Sequence, residues 1–530
     1  MTEPDLRWDA AWRERTWSGL AGPWDLVVVG GGIVGAGILR AAARAGVRAL
    51  LLERRDFASG TSSRSSQLVH GGLRYLAQGQ VGLARSAVTE REQLLRDAPG
   101  LVTPMDFLFP FYEGDRAKRL GYATLLTAYD ALAGRRCPHG VSAPDFALLT
   151  PSVHPLEMIG GLRYQEAQTD DARLVLRVLR EAVGSGARAL NYAPVTSLLR
   201  GRDGVEGVRV HDDVTDRDTE VRAKVVINAT GAWADKLRAE VGGGPKMRPL
   251  QGSHLVFPTT RFPTSIGVNV AHPGDGRPIT VTPWQGATVV GTTDLDHPTE
   301  LADDVSITPA EVDYLLEALA SPFRSLALSR DDIVSTWSGV RPTIFTGAAT
   351  ASRELRAHVV WDEDGLLTVT GGKLTTFRLI AHDALQMLAR RLPALAAAGK
   401  KDPAFDPLTS EHGATGPAQR LSGRHGTEAA DVVATAEPGE LVPMAGTPVV
   451  AAELRWAARC EGVAHLDDLL LRRVRIGLLL PDGGAEIFPL VRRICQQELS
   501  WTDIRWATEA AAYAALIARS HGVPTLTRAG

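Results

Sequence analysis

The chain has 530 residues, with 58 Lys plus Arg against 61 Asp plus Glu and a formal charge of −3. That length exceeds what one hydrophobic core supports and predicts two or three domains. The near-balance of charge gives no pull toward nucleic acid. Three scattered cysteines (Cys137, Cys460, Cys495) form no C-x-x-C pair and no even framework, which argues against disulfides and a metal site and for reduced thiols in a cytosolic compartment. The N-terminus is charged and carries Trp8, Trp12 and Trp17 in place of an apolar signal core. No apolar run reaches the roughly 18 residues of a membrane span. A soluble cytoplasmic protein is expected, at most attached to a membrane surface.

Residues 1–22 read as an irregular arm. The run Trp24 to Gly37 then holds a β-branched strand (Val27 to Val29), glycines spaced G-x-G-x-x-G (Gly30, Gly32, Gly35) and the start of an Ala-rich helix. Gly30 permits the tight turn, Gly32 lets a pyrophosphate lie against bare backbone, and Gly35 lets the helix pack close to the strand. A second strand, Arg48 to Glu53, ends in a carboxylate about 20 residues beyond the glycines, where a ribose hydroxyl needs an acceptor. Strand, loop, helix, strand and terminal Glu in that order predict a dinucleotide site.

Helical patterning follows over Leu83 to Arg96, Arg116 to Leu132 and Asp171 to Ala187, with a strand at Ala189 to Ala193. Residues 195–222 alternate short Val/Leu runs with Gly and Asp turns and predict an antiparallel meander. A buried strand follows at Val225, ending in Ala-Thr-Gly-Ala-Trp233. Residues 236–350 are rich in short strands, among them His254 to Pro258 and Ala287 to Gly291. Leu366 to Thr376 returns to strand, glycine turn and helix. Residues 396–425 read as a linker, and about 430–520 as a helical domain in which Trp501 and Trp506 belong to the core.

Two features favour FAD over NAD. Glu53 is followed by the hydroxyl-rich loop Arg54 to Ser63, and the strand from Val225 to Thr230 supplies a second backbone approach point; both fit the glutathione-reductase-like flavoprotein pattern. The resemblance then becomes specific. The runs Thr61 to Tyr75 (TSSRSSQLVHGGLRY), Gln251 to Val256, Gly291 to Asp294, Trp337 to Pro342 and Gly371 to Thr376 resemble, in order, the motifs of the FAD-dependent, aerobic-type glycerol-3-phosphate dehydrogenases. Asp467 to Arg473 resembles that family's C-terminal domain. The implied fold is α/β: a discontinuous FAD-binding Rossmann domain (23–80, 150–235, 355–395), a mostly antiparallel substrate-binding cap (81–149, 236–354) and a C-terminal helical domain (400–530).

The resemblance implies oxidation of sn-glycerol 3-phosphate to dihydroxyacetone phosphate by hydride transfer to FAD, with a quinone as final acceptor. Arg74, Tyr75, Arg341, Arg353, Lys373 and His254 are the implied substrate contacts, since Arg and Lys suit a phosphate dianion. Gly30, Gly32, Gly35, Glu53, Thr61, Ser62, Ser63, His70, Gly71, Gly72, Val195, Thr230, Gly231, Lys373, Leu374 and Thr375 are the implied cofactor contacts. His70, with an ordinary pKa near 6.5, suits the base role; Arg341 is its rival as proton handler, and a purely structural His70 stays open. His254 reads equally as a site residue or as a satisfied histidine in a sheet. A helix starting at Leu374, with Lys373, would favour the charge that develops on reduced flavin.

No second G-x-G-x-x-G unit and no redox cysteine pair is present, so a quinone or oxygen takes the electrons. Basic clusters at Arg116/Lys118/Arg119, Arg135/Arg136 and Arg472/Arg473/Arg475 could meet anionic lipid on the inner face of the cell membrane or could be solvated helix faces. A glycerol-phosphate oxidase, an amino-acid or amine oxidase, and a non-catalytic FAD-binding scaffold are the rival readings. Dimerisation, a lid and membrane docking remain open for the C-terminal domain.

Overall fold

The computed structural model describes residues 8–134, 139–297, 301, 304–347, 357–399, 402–407 and 416–525. Its centre is a parallel sheet ordered Leu366–Gly371, Arg217–Asn228, Trp24–Val29, Ala49–Leu52, Arg188–Leu190. Residues Leu26 to Val28, Leu50, Leu51 and Val225 to Ile227 are fully buried, as strands covered on both faces must be. Burying each such side chain contributes about 1.5–3 kcal/mol. The helix Ile33–Arg44 lies between the helices Asp171–Gly184 and Phe377–Leu388. Its Ile38, Leu39 and Ala42 join the sheet's core, and Gly46, at φ +77°, ends it in the left-handed turn that glycine allows.

The expected α/β architecture is present, with a second sheet of ten strands that is antiparallel except between Gly267–Ala271 and Thr103–Tyr112. In its strand Met247–Pro258, alternate residues face opposite ways. Leu255 and Phe257 pack on the helix Pro309–Ala320, whereas Val256 meets the C-terminal domain. That domain contains the helices Ala451–Cys460, Phe488–Glu498 and Asp503–Leu516, and Trp506 is buried in its core with Trp501 packed against it.

Several elements differ from expectation. The strand Met158–Gln168 lies within residues grouped with the nucleotide unit, yet it pairs with Thr103–Tyr112, and Leu68–Val69 pairs with it in turn. The meander's third strand and the buried strand from Val225 form one strand, Arg217–Asn228, which changes partners midway. The linker is shorter than expected, because the helix Pro417–His425 buries Leu421, Arg424 and His425. In the arm, Trp8 and Trp12 are buried with their rings packed at a tilt, Trp8 also against Phe57. Among the described residues no helix is long and apolar enough to cross a membrane. Arg472, Arg473 and Arg475 are buried and ion-paired, so they cannot meet lipid. Cys137, Arg135 and Arg136 lie outside the described residues.

Candidate active site

The carboxyl ends of the parallel strands open into a cavity of about 1200 Å³, the place where open α/β sheets bind ligands. Its volume exceeds the roughly 300–1,000 Å³ of ordinary small-molecule pockets, giving room for a dinucleotide together with a small substrate. The ten-stranded sheet closes the opposite side with Gly252, His254, Thr280, Gly339 and Arg341.

The nucleotide half follows from its glycines. Gly30 sits at φ +113°, where an added Cβ would lie 2.6 Å from the Ala229 carbonyl oxygen; at Gly35 a Cβ would lie 1.9 Å from the Gly30 oxygen. The two positions therefore accept only glycine, one for turn and approach, the other for packing. Ile33 N, at the start of the helix, donates to Ser62 Oγ at 3.0 Å. Glu53 accepts from Gly31 N at 2.6 Å and from Arg55 N at 2.9 Å, and burial raises its pKa despite those bonds. Thr61 Oγ1 donates to the Val340 carbonyl across the cavity rim. Val195 enters at the start of the meander, and Thr230 is held by Asn228 Oδ1 at 2.7 Å. Gly231 receives Thr370 Oγ1 on its carbonyl at 3.0 Å.

The other half gathers the titratable groups. His70 follows the short strand Leu68–Val69, and its carbonyl accepts from Thr375 Oγ1 at 3.3 Å. Gly71 N donates to Glu166 Oε2 at 3.0 Å, and Glu166 also takes Arg91 Nη1 and Tyr129 Oη, each at 2.6 Å. Burial, and then the Glu166 carboxylate, hold the Tyr129 phenol well above its usual pKa, so it donates as a neutral hydroxyl. A Cβ on Gly71 would come within 2.2 Å of that oxygen. Gly72, at φ +78°, turns the chain into the helix Leu73–Ala77. Lys373 Nζ sits 3.8 Å from the centre of the Tyr75 ring and would be 2.8 Å from a Cβ on Gly72. Arg74 lies beside them, exposed at the cavity. Lys373 precedes one tight turn, Leu374–Thr376, before the helix begins at Phe377, three residues later than expected.

Arg341 stands across the cavity, on a strand that pairs with Met247–Pro258 over ten residues. It pairs with buried Asp294 at 3.0 Å and donates to Thr292 Oγ1 at 3.1 Å. Glycine at 252 leaves room for its guanidinium, since a Cβ there would lie 2.4 Å from Nη2 and push the side chain aside. His254 stacks on Trp337 at 5.1 Å and shares a hydrogen bond with Ser66 Oγ at 2.8 Å. Burial, with a smaller contribution from Arg341, pushes its pKa down to about 3, so the ring is neutral.

The structure thus brings His70, Gly72, Arg74, Tyr75, His254, Arg341, Lys373, Leu374 and Thr375 to the same cavity as Gly30, Gly32, Glu53, Thr61, Ser62, Val195, Thr230 and Gly231. Gly35, Ser63 and Gly71 stand behind its wall. Arg353 lies outside the described residues. Sequence reasoning missed the supporting groups: Glu166, Arg91 and Tyr129 beneath the His70 loop, Asp294 on Arg341, and Ser66 on His254. It also missed Glu311, which accepts from Ser253 and Thr293 at 2.7 and 2.6 Å. A carboxylate on the inward face of the strand Met158–Gln168 was the one readable sign of Glu166.

The bare backbone at Gly30 and Gly32, the helix N-terminus beyond them and the half-buried carboxylate of Glu53 would suit an FAD site. Comparison with known proteins agrees. Residues 25–386 match the family described as FAD dependent oxidoreductase, and residues 384–506 the C-terminal domain of alpha-glycerophosphate oxidase. Glycerol-3-phosphate dehydrogenase 2 of Mycobacterium tuberculosis is 34% identical over 528 residues, spanning 93% of this chain and 88% of that protein. The aerobic glycerol-3-phosphate dehydrogenase of Staphylococcus aureus is 36% identical over 376 residues, 70% of this chain and 67% of that protein. A crystal structure of the glycerol-3-phosphate dehydrogenase from Bacillus halodurans complexed with FAD superposes with a TM-score of 0.76 at 27% identity, covering 99% of this chain and 100% of that one. The chain belongs to the family of FAD-dependent glycerol-3-phosphate dehydrogenases.

Proposed function

We propose that the protein oxidises the secondary alcohol of sn-glycerol 3-phosphate to dihydroxyacetone phosphate and delivers the electron pair to a membrane quinone. The observation that carries this reading is the placement of Lys373, Arg341 and His70 around the cavity into which the glycine-lined nucleotide cleft opens. FAD, held by Gly30, Gly32, Glu53, Ser62, Thr230, Gly231 and Leu374, supplies the two-electron acceptor for the hydrogen leaving the carbinol carbon. Arg341, Lys373 and Arg74 bind the phosphate dianion, with the Tyr75 ring against the lysine. Each charge-assisted bond contributes about 1.5–3 kcal/mol, so two of them separate glycerol 3-phosphate from glycerol by about 3–6 kcal/mol. His70 takes the hydroxyl proton, its backbone fixed by Gly71 on Glu166 and by Thr375. His254, neutral and buried, orients Ser66 and carries no charge to the phosphate.

The acceptor reading draws support from the cavity mouth. The helix Arg116–Leu132 contributes Lys118, Gly121 and Tyr122 to the cavity lining and exposes Leu120 beside them. The adjoining helix Val81–Asp97 exposes Val81 and Leu83. Apolar side chains flanked by Arg116 and Lys118 suit the cytoplasmic face of an anionic bilayer, where a quinone is found. Turnover of glycerol 3-phosphate under argon with a short-chain quinone tests the assignment. One quinone reduced per dihydroxyacetone phosphate formed supports it. Turnover only in oxygen, with stoichiometric peroxide, reassigns the acceptor and makes the protein an oxidase.

A further inference from the structure

Behind the cofactor loop, the C-terminal domain presents three arginines from one short segment. Arg473 forks onto Asp56 at 2.6 and 2.7 Å, and Arg472 Nε reaches the same carboxylate at 2.5 Å. Two residues on, Arg475 donates through Nη2 to the Ser63 carbonyl at 2.9 Å and through Nη1 to Asp171 Oδ1 at 2.8 Å. The second oxygen of Asp171 accepts from Ser65 N at 2.9 Å. Both ends of the loop 56–65 are therefore held from behind by the C-terminal segment. Between them lies Ser62, the residue that accepts from Ile33 N at the helix start and would stand 3.1 Å from a Cβ on Gly32.

None of the three arginines lines the cavity. Arg473, Arg475, Asp56 and Asp171 are fully buried, and Arg475 adopts a left-handed backbone at φ +69°, a conformation that side-chain-bearing residues rarely take unless their surroundings impose it. A fork that satisfies a carbonyl and a carboxylate together fixes direction as well as distance. Removing it leaves a buried carbonyl and a buried carboxylate short of a partner, and a loop relaxes to rehydrate such groups.

We propose that Arg475, with Asp171 as its counter-charge and Arg473 at the loop's other end, is a positioning residue for the FAD site, so that the C-terminal domain controls how tightly the cofactor is held. This rests on FAD binding alone and is independent of which alcohol is oxidised. Apoprotein titrated with FAD, followed by flavin fluorescence, reads it directly. Arg475→Met and Asp171→Asn raise the Kd for FAD at least tenfold, and Arg475→Lys, which keeps the charge but loses the fork, falls between them and the wild type. The control is Arg455→Met, which breaks a largely buried ion-pair cluster with Glu440 and Glu498 inside the C-terminal domain; its Kd stays within threefold even where its unfolding midpoint drops. Asp171→Asn changes charge with little change of shape, so it decides the matter if Arg475→Met does not fold. An unchanged Kd in Asp171→Asn, or an equal rise in Arg455→Met, overturns the proposal.

Discussion

His254 offers a prediction whose size follows from its surroundings. The ring is buried against Trp337 and Gly291, with Nε2 on Ser66 and, among the described residues, no hydrogen-bond partner for Nδ1. Its pKa falls from the ordinary 6.5 to about 3, through burial first and Arg341 second. The unfolded chain therefore binds a proton in the window between pH 6.5 and 3 that the folded chain refuses, and stability present above pH 6.5 is lost as the pH falls through that window. At 1.36 kcal/mol per pH unit, His254 alone costs roughly 2 kcal/mol by pH 5 and about 5 kcal/mol near pH 3. The substitution His254→Gln removes the titration while leaving an amide to meet Ser66. Urea unfolding of flavin-loaded protein at saturating FAD, followed by circular dichroism at pH 7 and pH 5, gives the comparison; other titrating groups cancel in the difference. The variant loses about 2 kcal/mol less than the wild type between those pH values. Equal losses in the two proteins would refute the reasoning, because the ring would then be able to charge where it sits.

Gly35→Ala places a Cβ against the Gly30 carbonyl and forces the helix off the strand; protein purified from the variant carries little flavin, read from the ratio of flavin to protein absorbance. Lys373→Met removes one charge-assisted bond and raises KM for glycerol 3-phosphate by about 10–150-fold, while its affinity for FAD, measured by titration, changes far less. His70→Asn lowers kcat by at least about 100-fold and abolishes the acidic limb of the pH–rate profile, whereas His254→Gln keeps that limb; turnover of His70→Asn within a few-fold of wild type removes it as the base. Leu120→Asp, at a side chain 71% exposed, weakens sedimentation with anionic vesicles and leaves turnover with a soluble quinone unchanged.

Much of the nucleotide half was legible because its constraints are local. Glycine spacing, a β-branched strand and a terminal carboxylate all lie within about 30 residues. The helix Arg116–Leu132 and the strand Ala287–Gly291 match their predicted ends because each has its own period and turn residues. The strand Met158–Gln168 was misgrouped because its partner, Thr103–Tyr112, lies across a helix pair, and pairing at that separation leaves no mark in either segment. Arg472, Arg473 and Arg475 read as a surface patch because arginines are mostly exposed. Arg472 has near partners in Asp467 and Asp468, but Asp56 and Asp171 lie some 300 to 420 residues away in the chain, so only the folded chain reveals the buried cluster. The same holds for Arg91 and Tyr129, whose helices look amphipathic and ordinary until Glu166 is placed between them.

The proposed function has basic groups at the cavity select a phosphorylated alcohol for oxidation by bound flavin. Anaerobic titration of the flavin-loaded protein with glycerol 3-phosphate, watched at the flavin absorbance band, tests it most directly. Bleaching by glycerol 3-phosphate, with glycerol ineffective at the same concentration, is the predicted result; a band left intact by the phosphate ester, or bleached instead by an amino acid, contradicts it.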